Sequence, residues 1–388
     1  MARKSSRRST TRRTSTGRRT GPLSPSTFVL VLALIAVLWL FESGRLDSWF
    51  GIEDEPAPTA QTGSLQVYVT TPTLVYPDRR AQRGNSPLLD AVLADLAMVR
   101  SSVDLATFDL DLPQITDALI SAKQRGAEVR VIVDSENLET PEVAQETGRL
   151  EDAGIGVRFD DRSAFMHNKF LVIDSSIAWT GSWNLTENDT FRNNNNMLRL
   201  DSREIALNYS NKFAQMFAGA FGSKKESNSP FPEVQVGQTQ AVTLFAPEDG
   251  VAQYVLERID NAQQNIRFMA FSFTSDEIGA AMIRQREQGI PVQGVFEAQN
   301  AGGSGSEYGA LLSGGVDVLE DGSCYIMHHK TIIIDDRIVI TGSYNFTASA
   351  EDSNDENLLI IDDPAVAEMY IQEFNRVFTQ AQNPTRCG

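Results

Sequence analysis

The stretches FMHNKFLVIDSSIAWTGSWN, residues 165–184, and IMHHKTIIIDDRIVITGSYN, residues 326–345, repeat one layout 161 positions apart. The chain has 388 residues and three histidines, and all three fall inside these two stretches. Each opens with His-x-Lys, continues through an apolar run to an Asp, and ends at Gly-Ser and Asn. In the first stretch these are His167, Lys169, Asp174, Gly181, Ser182 and Asn184. The second supplies His328, Lys330, Asp335, Gly342, Ser343 and Asn345. KFLVID and KTIIID read as strands by composition. The two-residue period of a strand then puts each His and Lys on one face. A Gly before the Ser lets the backbone approach a ligand closely, and the Asn offers an amide donor beside a cation. Such groups facing one point suit a phosphoryl group.

Working outward, the flanking segments repeat as well. LQVYVT, VDLATFDL and AEVRVIVD have strand character, and SPLLDAVLADLAMVRSS and QITDALISAKQRG have helical spacing. The same order returns as VTLFAP, a helix over DGVAQYVLERIDNAQQN, IRFMAFSFT, a helix over DEIGAAMIRQREQG, and IPVQGVFE. Gly126 matches Gly289 and Asp134 matches Glu297 at an offset of 163. This alternation predicts an α/β fold of two duplicated half-domains packed around one shared site. The expected halves are residues 65–221 and 241–380, joined by a loop over 222–240 and followed by a tail over 381–388. His329 has no counterpart, since Asn168 stands there, and by alternation it points away from the site.

The net charge of −17 hides an asymmetry. The first twenty residues carry eight Arg or Lys and no acid, leaving the chain beyond Phe41 with a balance of −25. Between them lies FVLVLALIAVLWLF, Phe28–Phe41, which extends back to Leu23 as nineteen uncharged residues. That length is enough to span a bilayer. A cleaved signal peptide is the alternative, but the residues just beyond Phe41 offer no convincing small-x-small cleavage site, which favours an uncleaved transmembrane anchor over 23–41. The basic tail, 1–22, is then cytoplasmic, and the catalytic domain lies on the extracytoplasmic side beyond a linker, 42–64. Cys324 and Cys387 show no zinc spacing; an exported domain could pair them.

Taken together, the paired motifs resemble the double signature of the phospholipase D superfamily, over nearly all of residues 66–380. In the second half, AFSFTSDEIGAAM, MHHK, ENLLII and EMYIQEFNRVF are similar in kind to the bacterial nuclease and mitochondrial cardiolipin hydrolase branch. The tyrosyl-DNA phosphodiesterase branch lacks the acid of the motif, and both Asp174 and Asp335 are present here. The resemblance implies a phosphodiesterase that needs no metal or other cofactor. Double displacement at phosphorus uses one imidazole to attack and another to protonate the leaving oxygen and then deprotonate water. His167 and His328 take these parts. Lys169, Lys330, Asn184 and Asn345 hold the phosphoryl oxygens, and Ser182 and Ser343 are further substrate-binding candidates. Asp174 and Asp335 belong to the motif, though a strand's end suits a structural hydrogen bond better than proton transfer.

One position breaks the repeat: Glu356 matches Asn195. In the family an acid at the Glu356 position orients a catalytic histidine. Assigned to the His of its own half, it would keep His328 protonated as the acid and leave His167 neutral as the nucleophile. With both motifs in one chain, a monomer should hold a complete site. For substrate, an anchored and acidic chain favours phospholipid at a membrane surface, hydrolysed to phosphatidic acid and free headgroup. The alternatives are an endonuclease cutting DNA or RNA, and a cardiolipin synthase-like phosphatidyltransferase. Trp179, Trp183 and Tyr344 are the aromatics near the motifs that could stack on bases, touch acyl chains or fill the core.

Overall fold

The computed structural model describes residues 61–62, 65–70 and 76–385, so the basic tail, the apolar segment 23–41, nearly all of the linker and Cys387 lie outside the described residues. Among those described, no helix is long and apolar enough to cross a membrane.

The first sheet contains β1 (Gln61–Thr62), β2 (Leu65–Val69), β3 (Ser102–Thr107), β4 (Glu128–Val133), β5 (Gly156–Phe159), β6 (Phe170–Ile173), β7 (Ile177–Gly181) and β8 (Asn196–Asp201). Its spatial order is 1-2-8-7-6-3-4-5. The second contains β9 (Glu233–Val236), β10 (Thr239–Ala246), β11 (Ile266–Ala270), β12 (Val292–Phe296), β13 (Asp317–Glu320), β14 (Lys330–Ile334), β15 (Ile338–Gly342) and β16 (Glu356–Asp362). It runs 9-10-16-15-14-11-12-13, the same topology strand for strand. In each, parallel pairs bridged by helices sit on one side (β3–β4–β5, β11–β12–β13), and antiparallel hairpins on the other. β9 corrects the loop reading of 222–240: Glu233–Val236 pairs with β10, so part of that connection is an edge strand of the second sheet.

Each sheet buries its outer face against helices of its own half. The inner faces share a central apolar cluster with helices Arg203–Phe217 and Pro364–Gln382, which contribute Tyr209, Phe213, Tyr370 and Phe374. The two halves therefore fold on one common core, and removing apolar area from water on both sides of these helices stabilises their association. Polar cross-links add to it. Thr180 Oγ1 of β7 donates to Asn357 Oδ1 of β16 at 2.6 Å, and Thr341 Oγ1 of β15 donates to Asn196 Oδ1 of β8 at 3.0 Å. His329 belongs to this layer. Its Nε2 meets Glu373 at 2.9 Å and its Nδ1 meets the Asn196 amide at 3.0 Å, fully buried and on the side of the strand away from the site.

Two glycine pairs are explained by backbone geometry. Gly126 and Gly289 end equivalent helices at φ of 99° and 93°, where an L side chain is strained. At Gly181 and Gly342 a Cβ would come within 2.3 Å of the Asn196 or Asn357 carbonyl oxygen. The close approach expected of the Gly-Ser pair is thus to the neighbouring strand, not to a ligand.

Candidate active site

His167 and Lys169 lead into β6, and His328 and Lys330 into β14, so both sheets present a His-x-Lys pair at the same end. An acid aligned across the repeat holds each pair from below. Asp134 Oδ2 accepts from the Met166 amide at 2.7 Å, and Glu297 Oε2 from the Met327 amide at 2.6 Å. The loops then cross over: the His167 amide donates to Asp355 O at 2.9 Å and the His328 amide to Asn194 O at 2.8 Å. Each catalytic strand is thereby stitched to the other half, which brings the two histidines into one cleft.

Buried Lys169 and Lys330 each donate from Nζ to the carbonyl of their own histidine, at 2.9 and 3.1 Å. Each head also lies over an aromatic face: Phe108 at 5.0 Å and Phe271 at 4.6 Å. The same rings stand edge-on to His167 and His328. These phenylalanines were missed from sequence, although their recurrence at one offset, in TFDL and AFSF, was a usable signal. Burial pushes the Lys169 amine down to about 8, and burial together with the neighbouring Lys169 cation holds Lys330 well below its ordinary value. Both cations therefore gain from a phosphate anion entering between them. Asn184 and Asn345 are half-buried, and each has a buried Oδ1 without a hydrogen-bond partner, the same arrangement in both halves.

The histidine partners overturn one expectation. Glu356 does not serve the histidine of its own half; its Oε2 lies 2.8 Å from His167 Nδ1, across the interface. In return, Asn195 Oδ1 lies 2.9 Å from His328 Nδ1. Sequence offers no way to see this exchange, because it depends on how the sheets face each other. Ser182 and Ser343 are also reassigned. They are fully buried, and their hydroxyls donate to Asn195 Oδ1 at 3.0 Å and to Glu356 Oε2 at 2.6 Å, aiming the histidine partners rather than meeting substrate. A residue missed entirely is Asp189. Its counterpart at the repeat offset is Ala350, and its Oδ2 lies 3.4 Å from His328 Nδ1 while accepting the Asn184 amide at 2.9 Å.

Burial lowers the His167 imidazole to about 4, against the opposing pull of Glu356. It lowers His328 to about 3, with the Lys330 cation adding to the effect. Burial works to raise the Glu356 carboxyl, but His167, Lys169 and Ser343 outweigh it and hold it below its ordinary value. In the free enzyme at neutral pH both rings are neutral and Glu356 is ionised.

Asp174 and Asp335, grouped with the catalytic residues by motif, are not brought to the cleft. They sit at the far ends of β6 and β14, roughly 16 Å of strand from the lysines. Asp174 accepts the Arg100, Ser101 and Ser102 amides at 3.0, 2.7 and 3.0 Å, and Asp335 the Gln263, Gln264 and Asn265 amides at 2.9, 2.6 and 3.2 Å. Trp179, Trp183 and Tyr344 are core residues, 0, 1 and 2% exposed, and give no stacking platform.

Behind Glu356 lies a buried ion cluster supplied by the connection between halves. Lys225 Nζ is 2.9 Å from both Asp355 Oδ1 and Glu248 Oε2, and Arg162 also pairs with Asp355. Lys225→Met would leave two buried carboxylates with less compensation, and a loss of about 3–5 kcal/mol is expected. Urea unfolding should show it as a lower midpoint; an unchanged midpoint would mean that Asp355 is held by Arg162 alone.

The cardiolipin synthase, PLD-like domain model matches residues 92–217 and 255–378, one match to each half. A phospholipase D of Rickettsia bellii is 32% identical over 156 residues, covering 39% of this chain and 78% of the relative. A mitochondrial cardiolipin hydrolase of Xenopus tropicalis is 35% identical over 119 residues, 31% of this chain and 57% of the relative. Among solved structures, the phosphatidylserine synthase of Haemophilus influenzae superposes with a TM-score of 0.62 at 13% identity, over 84% of this chain and 89% of that one, a likeness of fold alone. The chain belongs to the phospholipase D-like family. It is a phosphoric diester hydrolase, with its two copies of the family's half-domain in a single polypeptide.

Proposed function

We propose that the protein is a membrane-anchored phospholipase D-type hydrolase, releasing phosphatidic acid and free headgroup through a phosphohistidine on His167. The observation that carries the role assignment is the Glu356 carboxylate 2.8 Å behind His167 Nδ1. A carboxylate there keeps the proton on Nδ1, frees the Nε2 lone pair to attack phosphorus, and stabilises the cationic phosphoimidazolium that results. His328 has the neutral Asn195 amide at 2.9 Å and the Asp189 carboxylate farther off at 3.4 Å, and with burial and the Lys330 cation opposing protonation it forms the more acidic imidazolium. That suits delivery of a proton to the leaving oxygen, once the entering phosphate has favoured protonation. The same ring, neutral after donation, accepts a proton from water as water attacks phosphorus and His167 leaves. Lys169, Lys330, Asn184 and Asn345 surround the phosphoryl oxygens and offset developing charge.

A lipid substrate is supported by the apolar segment 23–41, which would hold the site near a bilayer with the catalytic domain extracytoplasmic, and by the acid excess of the chain. The names of the relatives, phospholipase D and cardiolipin hydrolase, point the same way. A nucleic-acid substrate is the alternative. The purified protein, incubated with chelator and either mixed phospholipid micelles or single-stranded DNA, should release phosphatidic acid and leave the DNA intact. Strand cleavage without lipid turnover would replace the reading with a nuclease. Loss of activity in EDTA, restored by a divalent ion, would overturn the electrostatic roles given to the lysines and asparagines.

A further inference from the structure

One connection breaks the duplication. Between β10 and the helix after it, Val251–Asp260, the second half needs only residues 247–250. Between β2 and the equivalent helix, Pro87–Ala97, the first half has residues 70–86, of which 70 and 76–86 are described, and the latter carry Arg79, Arg80 and Arg83. Among the described residues, this loop is tied to the His328 side of the cleft. The Asp78 amide donates to the Tyr325 hydroxyl at 2.9 Å, and the Tyr76 and Tyr325 rings lie 5.6 Å apart, three residues before His328. The Asp78 carboxylate takes Arg83 and Arg192, and Arg83 lies over the Phe191 ring at 4.8 Å. Phe191 ends the short helix Glu187–Phe191 that supplies Asp189 to His328.

Two of the arginines are spare. Arg83 and Arg192 hold the loop, whereas Arg79 makes no ion pair among the described residues and is exposed. The Arg80 side chain is 76% exposed, and the carboxylate it meets among the described residues, Glu187, is shared with Arg83 and Arg192. Asp111, which accepts the Glu187 backbone amide, and Asp78, held by Arg83 and Arg192, are further acids of this cluster. Arg80 grips Glu187 through both Nε and Nη2, yet the guanidinium stays open to solvent, so an incoming phosphate with two charges can compete for that fork while Glu187 keeps Arg83. The opposite rim, beside His167, presents Phe165, which is 36% exposed and packs on Phe108, with Arg162 behind it committed to Asp160 and Asp355.

We propose that Arg79 and Arg80 form a subsite for a second phosphate on the leaving alcohol, so that the favoured substrate is a phospholipid whose headgroup is itself phosphorylated. This rests on the assignment of His328 to the leaving-group side. In-line displacement puts the departing alcohol opposite His167, which is the side this loop borders, and guanidinium forks match a phosphate monoester in charge and shape. The lipid body then lies toward Phe165.

The test compares phosphatidylglycerol phosphate with phosphatidylglycerol, two lipids that differ only by the terminal phosphate, in otherwise identical mixed micelles. The ratio of kcat/KM for the two should favour the phosphorylated lipid and fall about tenfold in the Arg79→Ala/Arg80→Ala protein. It should also fall as salt rises. Equal proportional losses on both lipids, or no change in the ratio, would overturn the subsite. No product from either lipid with the unmodified protein would instead sink the phospholipase reading on which it rests. A variant that loses only oligonucleotide cleavage would reassign the arginines to nucleic acid and overturn the lipid proposal.

Discussion

His328→Ala should still form a covalent phospho-enzyme from a p-nitrophenyl phosphodiester, whereas His167→Ala should form none with any leaving group. The p-nitrophenolate departs without protonation, so the general acid is dispensable in the first step while the nucleophile is not. The second step still needs a base to activate water, so His328→Ala should release one burst of nitrophenolate and then stall. Its steady turnover should fall by about 10²–10⁴, the usual weight of general acid–base catalysis. With a lipid substrate, whose alcohol needs a proton to leave, even the burst should vanish. The measurement is stopped-flow absorbance with mass spectrometry of the trapped protein. Phosphate found on His328 would exchange the two roles and leave the reaction class standing.

A second large effect is expected from Glu356→Gln. The amide is nearly the same shape and can keep the contacts to Ser343 and His167, so folding should survive. What disappears is the charge that stabilises the phosphoimidazolium and the preference for a proton on Nδ1. By analogy with a carboxylate-to-amide change behind a catalytic histidine elsewhere, a loss of about 10³–10⁴ in kcat is reasonable. The reciprocal change, Asn195→Asp, separates this account from a purely structural one. It places a carboxylate close behind His328 Nδ1, which stabilises the imidazolium and raises its pKa by about 1–3 units. A group that must be protonated then stays so to higher pH, and the alkaline limb of the rate profile should move up by that amount. If the limb stays put while activity falls, Asn195 acts only by packing.

Much of this fold was legible in the sequence because the duplication supplied its own control. Strand and helix signals weak in one copy were repeated in the other, and the sheet orders match strand for strand. The histidines, lysines and asparagines were found for the same reason. What failed were statements that depend on how the halves face each other. The register of one strand places His and Lys together, but nothing in it says that Glu356 reaches across to His167. Ser182 and Ser343 were read as facing substrate from their residue type, while their depth was set by the tight contact at Gly181 and Gly342. The edge strand Glu233–Val236 was hidden in a polar, proline-containing segment whose alternation is only four residues long. Asp189 left no trace in the repeat because its partner position holds Ala350.

Had the two halves been identical around the cleft, a phosphodiester could react in either of two orientations, with either ester oxygen leaving. The substitution of Asn195 for the counterpart of Glu356 removes that equivalence. The carboxylates sit differently behind the two rings, with Glu356 at 2.8 Å from His167 Nδ1 and Asp189 at 3.4 Å from His328 Nδ1 beside the nearer Asn195 amide at 2.9 Å, and among the described residues the arginine loop borders the His328 side. Gene duplication makes a two-way device by default; a single amide in place of an acid gives it a direction of travel, so that one end of the substrate is retained on the protein and the other is let go.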